Sequence, residues 1–204
     1  GYAVNAYALP RFSVDCDIVI KDREELKKIE RVLVNFGYFK EENNKDKTPY
    51  YGNFLRLEKD IGDNLKVSID ILIKEVLDRQ TNATFSADWI FENSEIKTLR
   101  GKTITEKLKL RIINIDALFV LKFVSHRLTD IRDIFMLAPN IKNKHWVKQE
   151  ISKKYDFNKL FLKIKEKITS NQFKDNLQGV FGIIDNHVFE KHQKAVLNLE
   201  DVGK

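Results

Sequence analysis

The chain has 204 residues, of which 43% are apolar, so it can bury a core, and general disorder is excluded. Its single cysteine, Cys16, excludes a disulfide framework, and no run approaches the roughly 20 apolar residues of a membrane-spanning helix. Thirty-six Lys and Arg against thirty Asp and Glu leave a net charge of +6, too small an excess for a protein that coats DNA. We therefore expect a soluble, cytoplasmic protein with no membrane partner.

Residues 13 to 20 alternate between polar and apolar side chains, which predicts a strand with one buried face. The apolar face would carry Val14, Cys16, Ile18 and Ile20, with Cys16 acting as a small hydrophobe, and the polar face would carry Ser13, Asp15 and Asp17. Asp22 follows as a predicted N-cap with Glu25 three residues later. Apolar residues at helical spacing then predict a helix that runs to Gly37.

The next part of the chain is typical of a β-meander. Two strands are predicted at Tyr50 to Leu57 and Leu65 to Ile73, joined by a turn at Lys59 to Asn64. A short hairpin of Ile96 to Leu99 with Lys102 to Ile104 is expected next, and then a strand at Leu108 to Ile112. This first part of the chain therefore reads as α+β.

From Ile115 onward the apolar period becomes helical. Helices are predicted at Asp116 to Arg127, Thr129 to Leu137, 143–154, 157–169 and 172–198. The expected fold class is α+β: a mixed sheet with flanking helices in a domain at 1–112, followed by a helical bundle at 113–204.

Three aspartates form the main candidate site. Asp15 and Asp17 project from one face of the first predicted strand, about 6.6–7 Å apart. They lie inside an apolar run, where two anions need compensation that a cation supplies. Asp70 is a single charge within the apolar strand Val67 to Ile73. If the two strands are neighbours, the three carboxylates converge and offer hard oxygen ligands for Mg²⁺ or Mn²⁺.

Other interpretations of the three acids remain open. Asp15 and Asp17 could be structural aspartates, and Asp70 could be a hydrogen-bonded aspartate with no metal role. The same acids would also suit a metal-dependent nuclease.

The segment from Gly1 to Ile20 resembles the opening of the DNA-polymerase-β-like nucleotidyltransferase superfamily. The family pattern is a Gly-Gly or Gly-Ser pair, a helix, and then Asp-x-Asp on a strand. Gly1 matches the second small residue, with thirteen residues between it and Asp15, and we expect further sequence upstream. The resemblance implies that Gly1 lets backbone N–H groups approach the triphosphate, with Arg11 and Ser13 as neighbouring nucleotide-binding residues.

The segment from Leu118 to Ile134 is similar to the Lys…Arg-x-x-Asp-x-x-Asp segment of AbiEii-like nucleotidyltransferases. These relatives are toxin components of type IV toxin–antitoxin and phage-defence systems. The resemblance implies that Lys122 neutralises nucleotide phosphates and that Asp130 supports it. Lys122, His126 and Asp130 would form one stripe of an unbroken helix. The alternative is that Asp130 and Asp133 are simply salt-bridge partners of Lys122.

The resulting expectation is an enzyme that binds an NTP as its Mg²⁺ complex. An acceptor hydroxyl attacks the α-phosphorus and pyrophosphate leaves. Asp15 and Asp17 would bind the ions, Asp70 would share one and assist as the base, and Lys122 and Arg11 would neutralise the triphosphate. The alternative is a catalytically inactive binding module with the same fold.

The partners of such a protein are an NTP, an acceptor and, for a toxin, a cognate antitoxin. The segment 141–170 holds nine lysines and three acidic residues. This charge favours RNA, such as a tRNA 3′ end, over a small molecule or a protein side chain as the acceptor. A solvated helical face is the competing interpretation of the same lysines.

Overall fold

The computed structural model describes residues 1–40, 53–100 and 107–203. They form strands and helices in an α+β architecture, as predicted. The contacts divide the chain into two compact units: Gly1–Tyr2 with Phe12–Glu92, and Ala3–Arg11 with Asn93–Lys204. This division differs from the expected domain boundary after residue 112, because the strands between residues 94 and 113 group with the helices.

The first unit contains a four-stranded mixed sheet. In spatial order its strands are β1 (Asp15–Ile20), β4 (Lys66–Ile73), β3 (Phe54–Asp60) and β2 (Phe39–Lys40). Strand β4 lies parallel to β1 and antiparallel to β3. Helix α1 (Arg23–Asn35) connects β1 to β2 in the chain. The predicted pair of strands and the turn between them are therefore present, with residues 50–52 outside the described part.

One face of this sheet forms the core of the first unit. Its buried residues come from three strands, and apolar residues of α1 and its surroundings pack against them: Ile20, Leu57, Ile71 and Ile73, covered by Leu26, Ile29 and Leu33 among others. The alternation predicted for β1 is confirmed, because Ile18 and Ile20 belong to this core while Asp15 and Asp17 are exposed.

Helix α1 begins where it was predicted, but its capping differs. Asp22 occupies the N-cap position, yet its side chain makes no capping hydrogen bond. The expected capping box is therefore wrong in this respect. After the helix, Gly37 has φ +82°, a left-handed conformation that glycine adopts without strain.

The rest of the first unit is a small strand pair and a short helix. Strands β5 (Glu75–Leu77) and β6 (Thr84–Ser86) pair antiparallel, and helix α2 (Ala87–Glu92) follows directly. None of these elements, which are three to six residues long, was predicted from the sequence.

The second unit includes an antiparallel hairpin of β7 (Ser94–Arg100) and β8 (Lys107–Ile113). The expected hairpin of Ile96 to Leu99 with Lys102 to Ile104 is not the pairing observed, and residues 102–104 lie outside the described part. The observed register places Leu99 opposite Leu108 and Glu95 opposite Ile112. This longer pairing gives both strands more ladder hydrogen bonds than a three-residue partner would.

The described part of the second unit also contains six α-helices: α3 (Ile115–Ser125), α4 (Leu128–Leu137), α5 (Lys144–Lys154), α6 (Phe157–Ile168), α7 (Asn171–Phe181) and α8 (Asn186–Leu197). The single helix predicted at 172–198 is two helices, because Gly182 takes φ +83° and ends α7. Large side chains such as Phe119, Phe123, Phe135 and Phe161 are fully buried between them. None of the helices in the described ranges has the length and apolar character needed to cross a bilayer.

Helices α3 and α4 are separated by a sharp break. His126 adopts φ +38° and ψ +28° at the end of α3, and Arg127 is extended at the start of α4. The unbroken helical stripe of Lys122, His126 and Asp130 is therefore wrong. Side chains from the two helices nevertheless meet across the break.

Candidate functional site

The first candidate site is an acidic face of the sheet in the first unit. The parallel register pairs Asp17 with Asp70 and Asp15 with Ser68. Paired residues of adjacent strands project to the same side, so all four side chains lie on the face opposite the apolar core. Asp15 and Asp17 are exposed, whereas Asp70 is buried. The strand pairing on which a three-aspartate site depends is therefore present.

Two of these carboxylates have defined partners. Ser68 Oγ donates a hydrogen bond of 2.6 Å to Asp15 Oδ1. Arg56, opposite Asp70 on β3, donates from Nε to Asp70 Oδ1 and from Nη2 to Oδ2, both at 2.7 Å. A bidentate guanidinium compensates the charge of the buried carboxylate. Sequence reasoning missed Arg56, although a charge between Leu55 and Leu57 in an apolar strand was a visible signal.

The chemistry of this face matches a hard divalent cation. Three carboxylates and a hydroxyl are oxygen donors of the kind that Mg²⁺ and Mn²⁺ prefer. Among the residues that the structure describes, however, no group of three or more His, Cys, Asp or Glu is arranged to hold a metal ion. Both oxygens of Asp70 are directed at Arg56. Each oxygen of Asp70 keeps a second lone pair, but the Arg56 guanidinium places a positive charge beside Asp70, and this charge opposes the binding of a cation there.

Removal of the Arg56–Asp70 ion pair is expected to change how the stability of the protein responds to Mg²⁺. In the variant Arg56→Gln we expect the free energy of unfolding without divalent cations to fall by about 1–3 kcal/mol, because Asp70 loses a charged partner. Millimolar Mg²⁺ should then stabilise this variant more than the wild type, since Asp70 becomes available as a ligand. Thermal unfolding with and without Mg²⁺ measures both effects.

The control for this prediction is Lys66→Gln. Lys66 lies on β4 and is 3.7 Å from Glu58 in a more exposed ion pair. It should show the wild-type response to Mg²⁺. Equal stabilisation of wild type and Arg56→Gln by Mg²⁺ would contradict competition between Arg56 and a cation for Asp70.

Gly1 and Ser13 meet just before β1 in the first unit. A Cβ atom added at Gly1 would lie 2.0 Å from Ser13 Oγ and 2.6 Å from Ser13 Cβ. A side chain at position 1 would therefore require Ser13 to move. The Tyr2 hydroxyl donates a hydrogen bond of 3.3 Å to the Ser13 carbonyl. Two residues expected at the nucleotide are thus close neighbours.

The second candidate site is a buried network of charges in the second unit. Lys122 Nζ lies 2.7 Å from Asp130 Oδ1 and 2.9 Å from Asp133 Oδ2. Arg11 donates to both oxygens of Asp133, at 2.8 and 2.9 Å. Arg127 Nε donates to Asp130 Oδ2 at 2.7 Å. The side chains of Asp130 and Asp133 are at most 1% exposed, so these contacts compensate nearly complete loss of solvent.

The network favours the charged forms of Asp133 and Lys122. Burial alone would raise the pKa of Asp133, but hydrogen bonds and charges from Arg11 and Lys122 bring it below its ordinary value. Burial alone would likewise lower the pKa of Lys122, but Asp130 and Asp133 together raise it. Counting Arg11, Lys122 and Arg127 against the two carboxylates leaves one positive charge in excess.

These contacts can be compared with the nucleotide-binding roles expected for Lys122, Asp130 and Arg11. The ammonium group of Lys122 contacts both Asp130 and Asp133. This arrangement is the one expected if the two aspartates are salt-bridge partners of Lys122. Asp133 is the residue that joins Lys122 to Arg11, a role the sequence reading did not assign. Contact of Lys122 and Arg11 with nucleotide phosphates, and the support of Lys122 by Asp130 in that role, stay predictions. Gly1, Ser13, Asp15, Asp17 and Asp70 belong to the first unit, whereas these three belong to the second.

Several lysines of the basic segment 141–170 serve contacts within the chain. Lys148 Nζ donates to the backbone carbonyls of Glu200 and Val202, at 3.3 and 2.6 Å. Lys153 pairs with Glu150 at 2.5 Å, and Lys165 pairs with Glu200 at 3.0 Å. The charge of this segment is therefore partly used to hold the helical unit together.

Cys16 on β1 is half-buried, and burial raises the pKa of its thiol. This environment disfavours the thiolate and agrees with its expected role as a small apolar residue.

The fold and the two sites define an α+β protein with an acidic sheet face and a buried, compensated charge network. No protein-family model matches the chain, and no curated protein matches it significantly.

Proposed function

We propose that this protein is a nucleotidyltransferase that uses Mg²⁺ or Mn²⁺ to move a nucleoside monophosphate from an NTP to an acceptor hydroxyl. The supporting observation is the parallel pairing of β1 with β4, which puts Asp15, Asp17 and Asp70 on one face of the sheet. Two of these carboxylates are exposed, and the third is buried beside them on the neighbouring strand.

In this proposal Asp15 and Asp17 hold the metal, because both are exposed and face the same side. The bound metal supplies charge neutralisation on the triphosphate and lowers the pKa of the acceptor hydroxyl. Asp70, which is held by Arg56, would be the third ligand, and its carboxylate would accept or help to accept the proton of the acceptor hydroxyl. Ser68 orients Asp15 through its hydrogen bond.

The remaining nucleotide-binding residues follow the resemblance to the nucleotidyltransferases. The resemblance assigns Gly1, whose missing Cβ leaves room for Ser13, to the backbone that approaches a phosphate. Within the second unit, Asp133 contacts Arg11 and Lys122, the two cations expected to neutralise the triphosphate. RNA is the proposed acceptor, and the AbiEii-like segment extends the proposal to a toxin role with a cognate antitoxin.

The proposal is tested by incubating the full chain with each α-³²P-labelled NTP, Mg²⁺ and total RNA. The expected result is label incorporated into RNA of unchanged or increased length, dependent on Mg²⁺. Shortening of the RNA without incorporation would instead identify a nuclease. Separation on denaturing gels reports both outcomes in one experiment.

One observation favours a second candidate, a nucleotidyltransferase-fold binding module without catalysis. Both oxygens of Asp70 are committed to Arg56. Under this second proposal, Arg56 is a permanent substitute for a cation. Absence of label transfer, together with an unchanged Mg²⁺ response in Arg56→Gln, would favour the binding module.

A further inference from the structure

The β7–β8 hairpin carries one face with an unusual charge distribution. Lys107, Lys109 and Arg111 are alternate residues of β8, so their side chains project to the same side. All three are exposed. Their partners in the register include Thr98 opposite Lys109 and Ile96 opposite Arg111, neither of which is acidic. These three cations form the basic face of the hairpin.

The opposite side of the hairpin contacts Tyr7, which belongs to the same unit. Tyr7 donates hydrogen bonds to Glu95 Oε1 at 3.1 Å and to the Ile113 carbonyl at 2.9 Å. The Lys97 ammonium lies 4.4 Å from the centroid of the Tyr7 ring. Glu95, Lys97 and the buried Ile112 share this anchored side. The basic face therefore points away from the contacts that fix the hairpin.

The cations of the basic face differ in their ion pairing from several other lysines in the described part of the chain. Over the described ranges, Lys107, Lys109 and Arg111 form no ion pair, and Arg111 donates only a weak hydrogen bond of 3.3 Å to Ser94 Oγ. By contrast, Lys122, Lys153 and Lys165 each have a carboxylate partner. Three like charges about 6.6–6.8 Å apart repel one another until an anion neutralises them.

We infer that the basic face of the hairpin binds the phosphate backbone of single-stranded RNA. The spacing of alternate strand residues is close to that of successive phosphates in an extended polynucleotide, so each cation can meet one phosphate. Lys107 and Thr98 also border an open groove of about 630 Å³ with Asn5, Ala6 and Leu99. The face has no aromatic side chain among its described residues, which indicates contact with phosphates and no preference for base sequence.

This inference deepens the proposed function, because it names the polynucleotide that would present the acceptor hydroxyl. It assigns that contact to the hairpin and not to the basic segment 141–170. Binding and transfer are separable, since binding needs neither NTP nor metal. Success or failure of the two proposals can therefore be distinguished.

The test uses the full chain and a fluorescein-labelled 20-nucleotide single-stranded RNA of mixed sequence, in EDTA and without NTP. Fluorescence anisotropy over a range of salt concentrations gives Kd and its salt dependence. The triple variant Lys107→Ala, Lys109→Ala, Arg111→Ala should bind at least about 10-fold more weakly at low salt. The slope of log Kd against log salt should fall by about 2, because three phosphate contacts are lost at roughly 0.7 each.

The matched control removes three exposed lysines from the outer side of α6: Lys159→Ala, Lys163→Ala, Lys167→Ala. It changes the net charge equally and belongs to the competing basic segment. The inference requires that this control keeps the Kd within about 2-fold of wild type. Equal weakening by both triples, or weakening by the α6 triple alone, would overturn it.

Two further arms complete the test. Tighter binding of single-stranded DNA of the same sequence than of RNA would overturn the choice of RNA. Asp17→Asn should retain wild-type RNA affinity even if it abolishes transfer, so failure of the catalytic proposal leaves this measurement intact. Thermal unfolding of each variant confirms that the exposed substitutions leave the fold unchanged.

Discussion

The variant Asp17→Asn is expected to lose nucleotide transfer by about 10³-fold or more, with little change in stability. Asp17 is exposed on β1 and pairs in the register with Asp70. Asparagine keeps the size of the side chain but removes the negative charge that would hold a divalent cation. The loss should fall on kcat, because the metal stabilises charge that develops during transfer. Initial rates of label incorporation at saturating NTP measure it.

A suitable control is Asp63→Asn. Asp63 is exposed in the turn between β3 and β4 and has φ +50°, a conformation that asparagine tolerates well. This variant removes the same charge from the same sheet and should keep wild-type activity. If Asp17→Asn retained activity within a few-fold of this control, the metal role of the acidic face would be refuted.

The variant Asp133→Asn is expected to lower the free energy of unfolding by about 3–5 kcal/mol, because Arg11 and Lys122 each lose the charge of the buried Asp133 carboxylate. Asp133 is fully buried and contacts both Arg11 and Lys122. Asparagine preserves its shape but cannot neutralise either partner. Urea unfolding followed by circular dichroism measures the difference, and the exposed Asp175→Asn on α7 should differ from wild type by less than about 0.5 kcal/mol.

The difference in stability between wild type and Asp133→Asn is also expected to depend on pH, and the direction of this dependence follows from the pKa of Asp133. The pKa of Asp133 lies below its ordinary value of 3.8 in the folded chain. Its contribution to stability is therefore complete well above pH 3.8 and is lost as the pH falls through the folded-state pKa. The stability difference between wild type and Asp133→Asn should be largest near neutrality and shrink in acid. A difference that stayed constant down to pH 2 would show that Asp133 does not act through its charge.

The acidic face was predictable from sequence because strand geometry is simple. The alternation in β1 assigns Asp15 and Asp17 to the side opposite Ile18 and Ile20, and the structure confirms this. What the sequence did not supply was the partner of Asp70. Arg56 becomes its neighbour through the register of β3 with β4, and register depends on tertiary packing as much as on local pattern.

The second unit shows where periodicity alone is insufficient. Helices α3 and α4 were predicted close to their observed positions, but the left-handed conformation of His126 was not visible in the pattern. A non-glycine residue in that conformation is maintained by its surroundings. The break changes which side chains meet, since Lys122 reaches Asp130 from a different helix. Gly182, in contrast, was a visible signal for dividing the segment 172–198.

The position of β4 between β1 and β3 has a consequence for how the chain acquires its acidic face. Strands β3 and β4 are adjacent in sequence and form a local hairpin, a type of element that assembles within microseconds. Strand β1 joins β4 only after closure of a loop that includes α1, β2 and β3. During synthesis, Asp15 and Asp17 therefore exist well before Asp70 can lie beside them, so the proposed three-aspartate site cannot form until β4 has been synthesised and has paired with β1.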